Sequence, residues 1–388
     1  MKKNKKDCPP SKKTSIGGQA LMEGIMMRGP QVTAMAVRNP EGEMVVEKFP
    51  TVGKDRSKFF KLPIIRGVVN YIDSMVFGTK CLMRSAEIAG LEDAEKEMKL
   101  EKEAKKAKKA KKNSDIPQEQ PKEDERVVTN AESDTEAQEA CDVKADATDD
   151  NNNKKNVKKD DSGIGVVLTV TMIIGLVFGF AFAIAAFVIM PSYLYKWISY
   201  LIPALNPDNA IAASFVKSAF EGVIKIALLV GYMSLISLMK DIRRTYMFHG
   251  AEHKTIFCYE NNLELTVENV RKQRRFHPRC GTSFLILMLL VSIFISFFID
   301  PVCIAISGSV LPTVYRVVVK LLLLPIVVGV GYELIKLAGR HDNLFTRIIS
   351  APGVWLQHLT VFEPDDSMIE CAITAVKEVI PDDNSDNW

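Results

Sequence analysis

The residues with the clearest capacity for chemistry form the sequence His249-Gly-Ala-Glu-His253. On a helix, two histidines four residues apart lie on one face, so both imidazoles can reach the same point in space. Imidazole nitrogens are zinc ligands, and two of them at one point begin a metal site. Glu252 lies on the flank of that face, where it can act as a general base on water without itself being a ligand. The spacing H-x-x-E-H is that of the inverted zincin metalloproteases.

A second interpretation of these five residues stays open, because two histidines in a basic segment can simply be polar surface groups. A third ligand would favour the metal site, since zinc enzymes use three protein ligands. Glu333 is one candidate, because it lies in an apolar segment where an ionised carboxylate is costly unless it is paired or bound to a metal. Lys336, three residues further on, is the alternative partner of Glu333.

The other candidate is the pair His277 and Cys280, which has Arg279 between its members and directly precedes an apolar segment. This position puts the pair at the same membrane depth as the loop histidines. We therefore expect a divalent metal, most suitably zinc, bound by His249 and His253 and completed by one of the two candidates.

Three polar residues of the N-terminal block, Gln19, Glu23 and Arg28, lie in a stretch rich in glycine and methionine. They could complete a pocket against the histidine loop. Alternatively, the glycines mark tight backbone turns, and Glu23 and Arg28 form an ion pair. We favour the second interpretation, because no spacing rule in this block specifies chemistry.

Four long apolar segments must position these residues. Each is close to or longer than the roughly 20 residues that cross the hydrocarbon core of a bilayer. The segments are Ile164–Met190, about Ala219–Met239, Gly281–Ile299 and about Val317–Leu337. The sequence therefore predicts a polytopic, mainly α-helical membrane protein with four transmembrane helices.

The distribution of basic residues predicts the orientation of these helices. The segment 240–281 holds nine lysines and arginines, whereas 191–210 holds only one. By the positive-inside bias the basic loop is cytoplasmic, and with four spans both termini are cytoplasmic as well. The chemistry is therefore expected on the cytoplasmic face of the membrane.

The segments outside the membrane differ in composition. A basic tail at 1–13 precedes a small α+β cytoplasmic module at 14–90, in which Val32–Arg38 and Met44–Phe49 form a predicted hairpin and a helix follows Pro63. Segment 91–162 is a charged tether, with 16 basic against 21 acidic residues and no aromatic residue.

The remaining boundaries follow from the same patterns. Spans one and two occupy 163–239, the loop 240–281, and spans three and four 282–338. Segment 339–388 combines an interfacial stretch with an amphipathic helix at Met368–Ile380. The tether lysines are not interleaved with aromatic residues, so we expect no nucleic-acid partner.

Several sequence blocks resemble the YqhQ-type family of bacterial membrane proteins. The blocks are 15–30, 249–255 (HGAEHKT), 265–271, 276–284 (FHPRCGTSF), 351–357 and 363–366. The family is a domain of unknown function that is commonly labelled a predicted metal-dependent enzyme. The resemblance implies a bacterial cytoplasmic membrane location and a metal site, but it implies no substrate.

Three hypotheses for the function follow. The first is a metal-dependent hydrolase that acts on a membrane-associated substrate, with Glu252 as the catalytic base. The second is a non-catalytic membrane scaffold or assembly factor whose cytoplasmic modules hold a partner protein. The third is a small transporter, which with four spans would need a homo-oligomer to enclose a pathway.

Overall fold

The computed structural model describes residues 12–51, 57–90, 174–341 and 343–387, apart from positions 176 and 384. The predicted tether at 91–162 and the first part of the first predicted span lie outside the described residues. Within them the chain is mainly helical, with one small antiparallel sheet and four candidate membrane spans, which confirms the predicted fold class.

The sheet is an antiparallel meander in the order β1-β2-β3-β4. Its strands are β1 (Gly17–Leu21), β2 (Gly24–Arg28), β3 (Val32–Arg38) and β4 (Met44–Pro50). The predicted hairpin is the β3–β4 pair, in which Arg38 is paired with Met44. The β1–β2 hairpin lies in the block that we interpreted as tight turns. Only Met22 and Glu23 form its turn, where Glu23 has a φ of 52°.

Along the rest of the chain, two consecutive pairs of membrane-spanning helices are separated and flanked by other helices. They are α1 (Ile65–Ile88), α2 (Val177–Leu201), α3 (Ala210–Ile236), α4 (Lys240–Glu260), α5 (Val267–Arg271), α6 (Gly281–Ser307), α7 (Thr313–Arg340), α8 (Leu344–Thr360) and α9 (Asp366–Lys377). Four of them, α2, α3, α6 and α7, are long and apolar enough to cross a membrane. The second, third and fourth spans are longer than predicted, because helical backbone continues past the apolar residues at one or both ends. The first span continues to Leu201, past its predicted end at Met190.

One hydrophobic core joins three regions that are far apart in the chain. Ile25 and Met27 of β2 pack with Ala251 of α4 and with Ile369 and Ala372 of α9. All five residues are fully shielded from solvent. We call β1–β4, α4, α5 and α9 the sheet domain. The predicted histidine loop is therefore largely a helix, α4, that contributes to the core of a folded domain. The predicted amphipathic C-terminal helix is α9, which packs against the same core.

Charged residues inside the spans form ion pairs between helices. Glu221 of α3 accepts a hydrogen bond from Lys320 of α7 at 2.8 Å. Asp300 of α6 lies 2.6 Å from the Arg316 guanidinium of α7. Because unpaired charges are costly in the bilayer, these pairs hold α3, α6 and α7 together at the end of the helices away from α4.

Candidate metal centre

The two histidines of the H-x-x-E-H sequence lie on α4, on the face that points away from the sheet. Their ring centroids are 4.4 Å apart, and His253 is buried. Helix α4 reaches this position because Gly250 lies against the backbone of Phe362, where a Cβ would be 2.0 Å from the carbonyl oxygen. The predicted helical geometry of the pair is therefore present.

Cys280 brings a third ligand atom to the two histidines. One nitrogen of His249, one nitrogen of His253 and the Cys280 Sγ lie within 4.8 Å of one another. The closest approach is 2.9 Å, between His249 Nε2 and Cys280 Sγ. Cys280 is the residue that caps the N-terminus of α6, and its Sγ accepts a hydrogen bond from the Thr282 amide. A membrane span thus fixes the position of the thiol.

Backbone carbonyl oxygens fix the orientation of both imidazole rings. His249 Nδ1 lies 3.1 Å from the Thr360 oxygen, and His253 Nδ1 lies 2.6 Å from the Arg275 oxygen. Since a carbonyl oxygen only accepts, each Nδ1 carries the proton and each Nε2 keeps its lone pair. His253 Nε2 is buried and has no hydrogen-bond partner among the residues that the structure describes. Metal-binding histidines are oriented in this way.

The electrostatics of the three groups suit metal binding. Burial lowers the pKa of His253, which keeps its imidazole neutral. Burial alone would raise the pKa of the Cys280 thiol, but His253 and hydrogen bonds from Thr282 outweigh it and hold that pKa below its usual value. Neutral imidazole and thiolate are the forms that a metal ion requires.

Glu252 lies beside this group and outside the set of converging ligand atoms. Its carboxylate accepts a hydrogen bond of 3.0 Å from the Gly18 amide of β1, and only 7% of the residue is exposed. Burial raises the pKa of Glu252 to about 7. A carboxyl group with such a pKa can accept and return a proton near neutral pH.

A cleft of about 320 Å³ opens next to Glu252 and Cys280. The N-terminal residues Gln19 and Arg28 line it, as does Arg279 of the predicted second block. The N-terminal block therefore borders the candidate centre, and this pocket interpretation is the one that we had ranked second.

The ion pair that we favoured between Glu23 and Arg28 is wrong. Glu23 is instead bound by the Arg244 guanidinium of α4, with Nη2 2.6 Å from Oε2. Arg28 donates a hydrogen bond of 3.3 Å to Ser74 of α1. The two residues are at opposite ends of the β1–β2 hairpin, since Glu23 is in its turn and Arg28 at the end of β2.

The structure does not bring Glu333 to the metal-ligand group. Arg66 of α1 binds its carboxylate with two hydrogen bonds, of which the Nε to Oε1 distance is 2.6 Å. The partner that we expected, Lys336, does not make these hydrogen bonds. Sequence analysis did not identify Arg66 as the partner, because Arg66 and Glu333 are 267 residues apart.

His277 is near the centre but is held by other groups. Its Nε2 lies 3.6 Å from the Glu260 carboxylate, and its ring is 5.6 Å from that of His253. Gln357 of α8 fixes its backbone, since the side-chain amide accepts from the His277 amide at 2.8 Å and donates to its carbonyl at 2.6 Å. His277 thus positions the turn that carries Cys280.

Two positioning residues, Glu260 and Gln357, were absent from the sequence-based candidates. Glu260 follows His253 by seven residues, so helical spacing puts both on one face of α4. Gln357 lies in the 351–357 block of the resemblance. These two signals were present in the sequence, but neither residue type specified a role.

Comparison with known proteins identifies relatives without a known activity. Residues 62–382 match the family model described as "Protein of unknown function (DUF1385)". Over 370 residues the chain is 29% identical to "Uncharacterized protein YqhQ" of Bacillus subtilis (strain 168), covering 94% of this chain and 92% of that protein. No solved structure matches the chain significantly.

Proposed function

The chain belongs to the DUF1385 family of proteins of unknown function, and from that premise we propose that it is a metal-dependent hydrolase of the membrane. In this proposal a divalent ion, most suitably zinc, is bound by His249, His253 and Cys280. Glu252 acts as the general base. The substrate is associated with the membrane and reaches the ion through the adjacent cleft.

The observation that carries the proposal is the convergence of three ligand atoms. Hydrogen bonds to the backbone fix the orientation of the side chains that carry them. Both imidazoles donate through Nδ1 to carbonyl oxygens, so their Nε2 lone pairs and the Cys280 thiolate are left for an ion. Nitrogen and sulfur ligands favour zinc over magnesium or calcium, which prefer oxygen. Three protein ligands leave one tetrahedral position for substrate or water, as catalytic zinc sites do.

The residues around the cleft have distinct tasks in this proposal. A bound divalent ion would supply Lewis acidity and favour deprotonation of an attacking water. Glu252 takes the proton from that water and later returns it to the leaving group. Arg279 is oriented by the Thr14 carbonyl at 3.0 Å and by Glu260. Arg28 and Arg279 line the cleft, where their guanidinium groups supply hydrogen-bond donors for a substrate with an anionic group.

The location of the centre supports a membrane-associated substrate. Cys280 is the first residue before α6, so the ligand group lies at the end of a candidate span. Ser74 and Phe77 of α1 line the far side of the same cleft. A substrate held at the membrane surface would reach the cleft without leaving that surface.

Metal analysis of the purified chain tests the metal site. We expect one equivalent of zinc in the parent protein and loss of most of it in His253→Ala and in Cys280→Ala. His358→Ala is the matched control, because His358 bonds only the nearby Trp355 carbonyl and packs on Phe276. Equal, substoichiometric metal in all four proteins would sink the proposal.

The role of Glu252 separates the hydrolase from the scaffold hypothesis. Glu252→Gln keeps the shape of the side chain but removes the base, so we expect cellular function to be lost while metal content and thermal stability are kept. Glu268→Gln is the control, because Glu268 is exposed and pairs with Lys272, four residues further along the chain. Full cellular function of Glu252→Gln would favour the non-catalytic scaffold.

A further inference from the structure

We propose that the first half of α1 is embedded in the lipid bilayer beside α7, as a segment that enters the membrane without crossing it. Sequence analysis placed this helix in a cytoplasmic module. In the structure, the exposed apolar side chains on this part of the chain include Leu62, Ile64, Ile72 and Met75. We call these four residues the α1 lipid surface.

Helices α1 and α7 are packed backbone against backbone. A Cβ at Gly67 would lie 2.7 Å from the Tyr332 Cβ, and a Cβ at Gly329 would lie 2.8 Å from the Ile64 Cα. Asn70 Nδ2 donates a hydrogen bond of 2.9 Å to the Tyr332 hydroxyl. Contacts this close fix the start of α1 at the level of Gly329 on the membrane span.

The depth of Gly329 in the membrane follows from its position along α7 and from a nearby contact with α6. Gly329 lies 11 residues before the end of α7 at Arg340, which is about 16 Å along a helix. On the neighbouring span, a Cβ at Gly331 would lie 3.1 Å from Met288 Cγ. Met288 is seven residues after the start of α6, which is about 10 Å. Since one leaflet contributes about 15 Å of hydrocarbon, Ile64 and Gly67 lie within it.

Two charged residues lie between Leu62 and Thr79, namely Arg66 and Asp73. Glu333 of α7 binds Arg66 with two hydrogen bonds. Asp73 adjoins Ser74, which lines the cleft at Cys280, so Asp73 lies at the surface end of this segment. A paired arginine and glutamate carry no net charge, so the penalty for leaving water is greatly reduced.

None of the residues that the structure describes covers the apolar face of α1. Ile72 is 54% exposed and Met75 is 51% exposed. Their spacing of three residues puts them on one side of the helix. The opposite side of α1 carries Phe77, which packs edge-on against Phe49 of β4 at 5.6 Å. The helix thus has one side for the sheet domain and another for a nonpolar environment.

Lipid is the occupant that the surroundings favour. Helix α1 packs directly on α7, a candidate span on which Leu322 and Ile326 are exposed in the same way. An exposed apolar side chain at the depth of a span meets the same solvent as that span, which is the acyl chains. Because Ser74 and Phe77 of the same helix line the cleft at Cys280, that cleft opens at the bilayer surface.

Quenching of a fluorescent residue by brominated lipid tests this placement. An environment-sensitive fluorescent amino acid replaces Ile72 in the full chain, which is reconstituted into vesicles of phosphatidylcholine with or without bromine on the acyl chains. The matched control carries the same residue at Val46 of β4, whose strand face also holds Lys48, paired with Glu378. We expect several-fold stronger quenching at position 72 than at position 46.

Two outcomes would overturn the proposal. Quenching at position 72 no greater than at position 46 would place the helix in water. Energy transfer between labelled copies at position 72, without bromine quenching, would show that a second copy covers the surface. The label at Met75 repeats the measurement if the change at Ile72 lowers the melting temperature. None of these readouts depends on metal or on hydrolysis.

Discussion

Gly18 sets the distance between strand β1 and the candidate general base. Its amide donates to Glu252, and a Cβ at this position would lie 2.7 Å from the Met26 oxygen and 3.0 Å from Glu252 Cδ. The backbone atom of Met26 cannot move without disturbing the hairpin. The glycine is therefore required by a close approach of backbone to carboxylate and not by an unusual φ.

Gly18→Ala is expected to destabilise the protein by about 1–3 kcal/mol, the usual range for overpacking a filled site. It should also shift Glu252 and lower the proposed hydrolytic activity. Gly17→Ala is the matched control, because a Cβ there meets no atom within 4 Å. Thermal unfolding of the two variants beside the parent checks the prediction, and an equal small effect of both changes would contradict it.

Glu260 links the acid stability of the sheet domain to the turn that carries Cys280. Burial opposes ionisation of Glu260, but His277, Arg279 and the Thr14 amide outweigh it and hold its pKa below the usual value. A carboxyl group whose folded pKa is depressed stabilises the fold above its unfolded pKa. That contribution is lost as the pH falls through the folded value.

Glu260→Gln should therefore lower the melting temperature at neutral pH, where Arg279 loses its buried partner. The difference from the parent should shrink as the pH falls below the unfolded pKa near 4.5. Melting curves of both proteins at several pH values measure this difference. A difference that stays constant down to strongly acidic pH would mean that the ionised carboxylate contributes nothing.

At the scale of elements, α1 and α7 depend on two facing glycines, Gly67 and Gly329. Gly67→Leu should push the helices apart, break the Arg66–Glu333 pair and cost about 1–3 kcal/mol or more. Gly231→Leu on α3 is the control, because that glycine is exposed and a Cβ there has no neighbour within 4 Å. Unfolding in detergent measures both variants, and equal stability would argue against close packing of α1 on α7.

Sequence periodicity predicted the elements whose environment is uniform along their length. The spans α2, α3, α6 and α7 are predominantly apolar, and β3 and β4 flank a turn with Asn39 and Gly42. Helix α4 could be predicted from one local signal, the four-residue spacing of His249 and His253. In each case the residues that determine the local structure lie within a few positions of one another in the sequence.

The parts that sequence analysis missed depend on contacts between distant residues. The β1–β2 hairpin has glycines at three of its ten strand positions, and it is stabilised by α4 and α9 more than by its own propensity. The partner of Glu333 could not be predicted, because nothing near it in sequence indicates Arg66. Similarly, two candidate completions of the metal site stayed open until the fold showed that Cys280 meets both histidines.

At the scale of the whole molecule, the shared core of the sheet domain restricts the topology. Strands β1–β4 precede the four candidate spans and α9 follows them, yet they pack against each other. An even number of crossings returns the chain to the side from which it started. The sheet domain and α9 must therefore lie on one side of the membrane, and the α2–α3 and α6–α7 connections on the other.

Cysteine labelling tests this topology and the predicted cytoplasmic orientation. Intact cells treated with a membrane-impermeant maleimide should label Ser309→Cys, between α6 and α7, above the level of the parent chain. Lys377→Cys on α9 should react only after the cells are opened. Labelling of Lys377→Cys from outside would reverse the orientation, and labelling of both from one side would contradict four crossings.

The Arg66–Glu333 pair also has a consequence for the order of events during synthesis. Its members are 267 residues apart, so at 5–20 residues per second the ribosome needs roughly 13–50 s to produce the second after the first. Throughout that interval α1 has no α7 to pack against, and the sheet waits still longer for α9. The N-terminal region therefore leaves the ribosome with its apolar surfaces uncovered, and its folding is completed only when the last helices have been made.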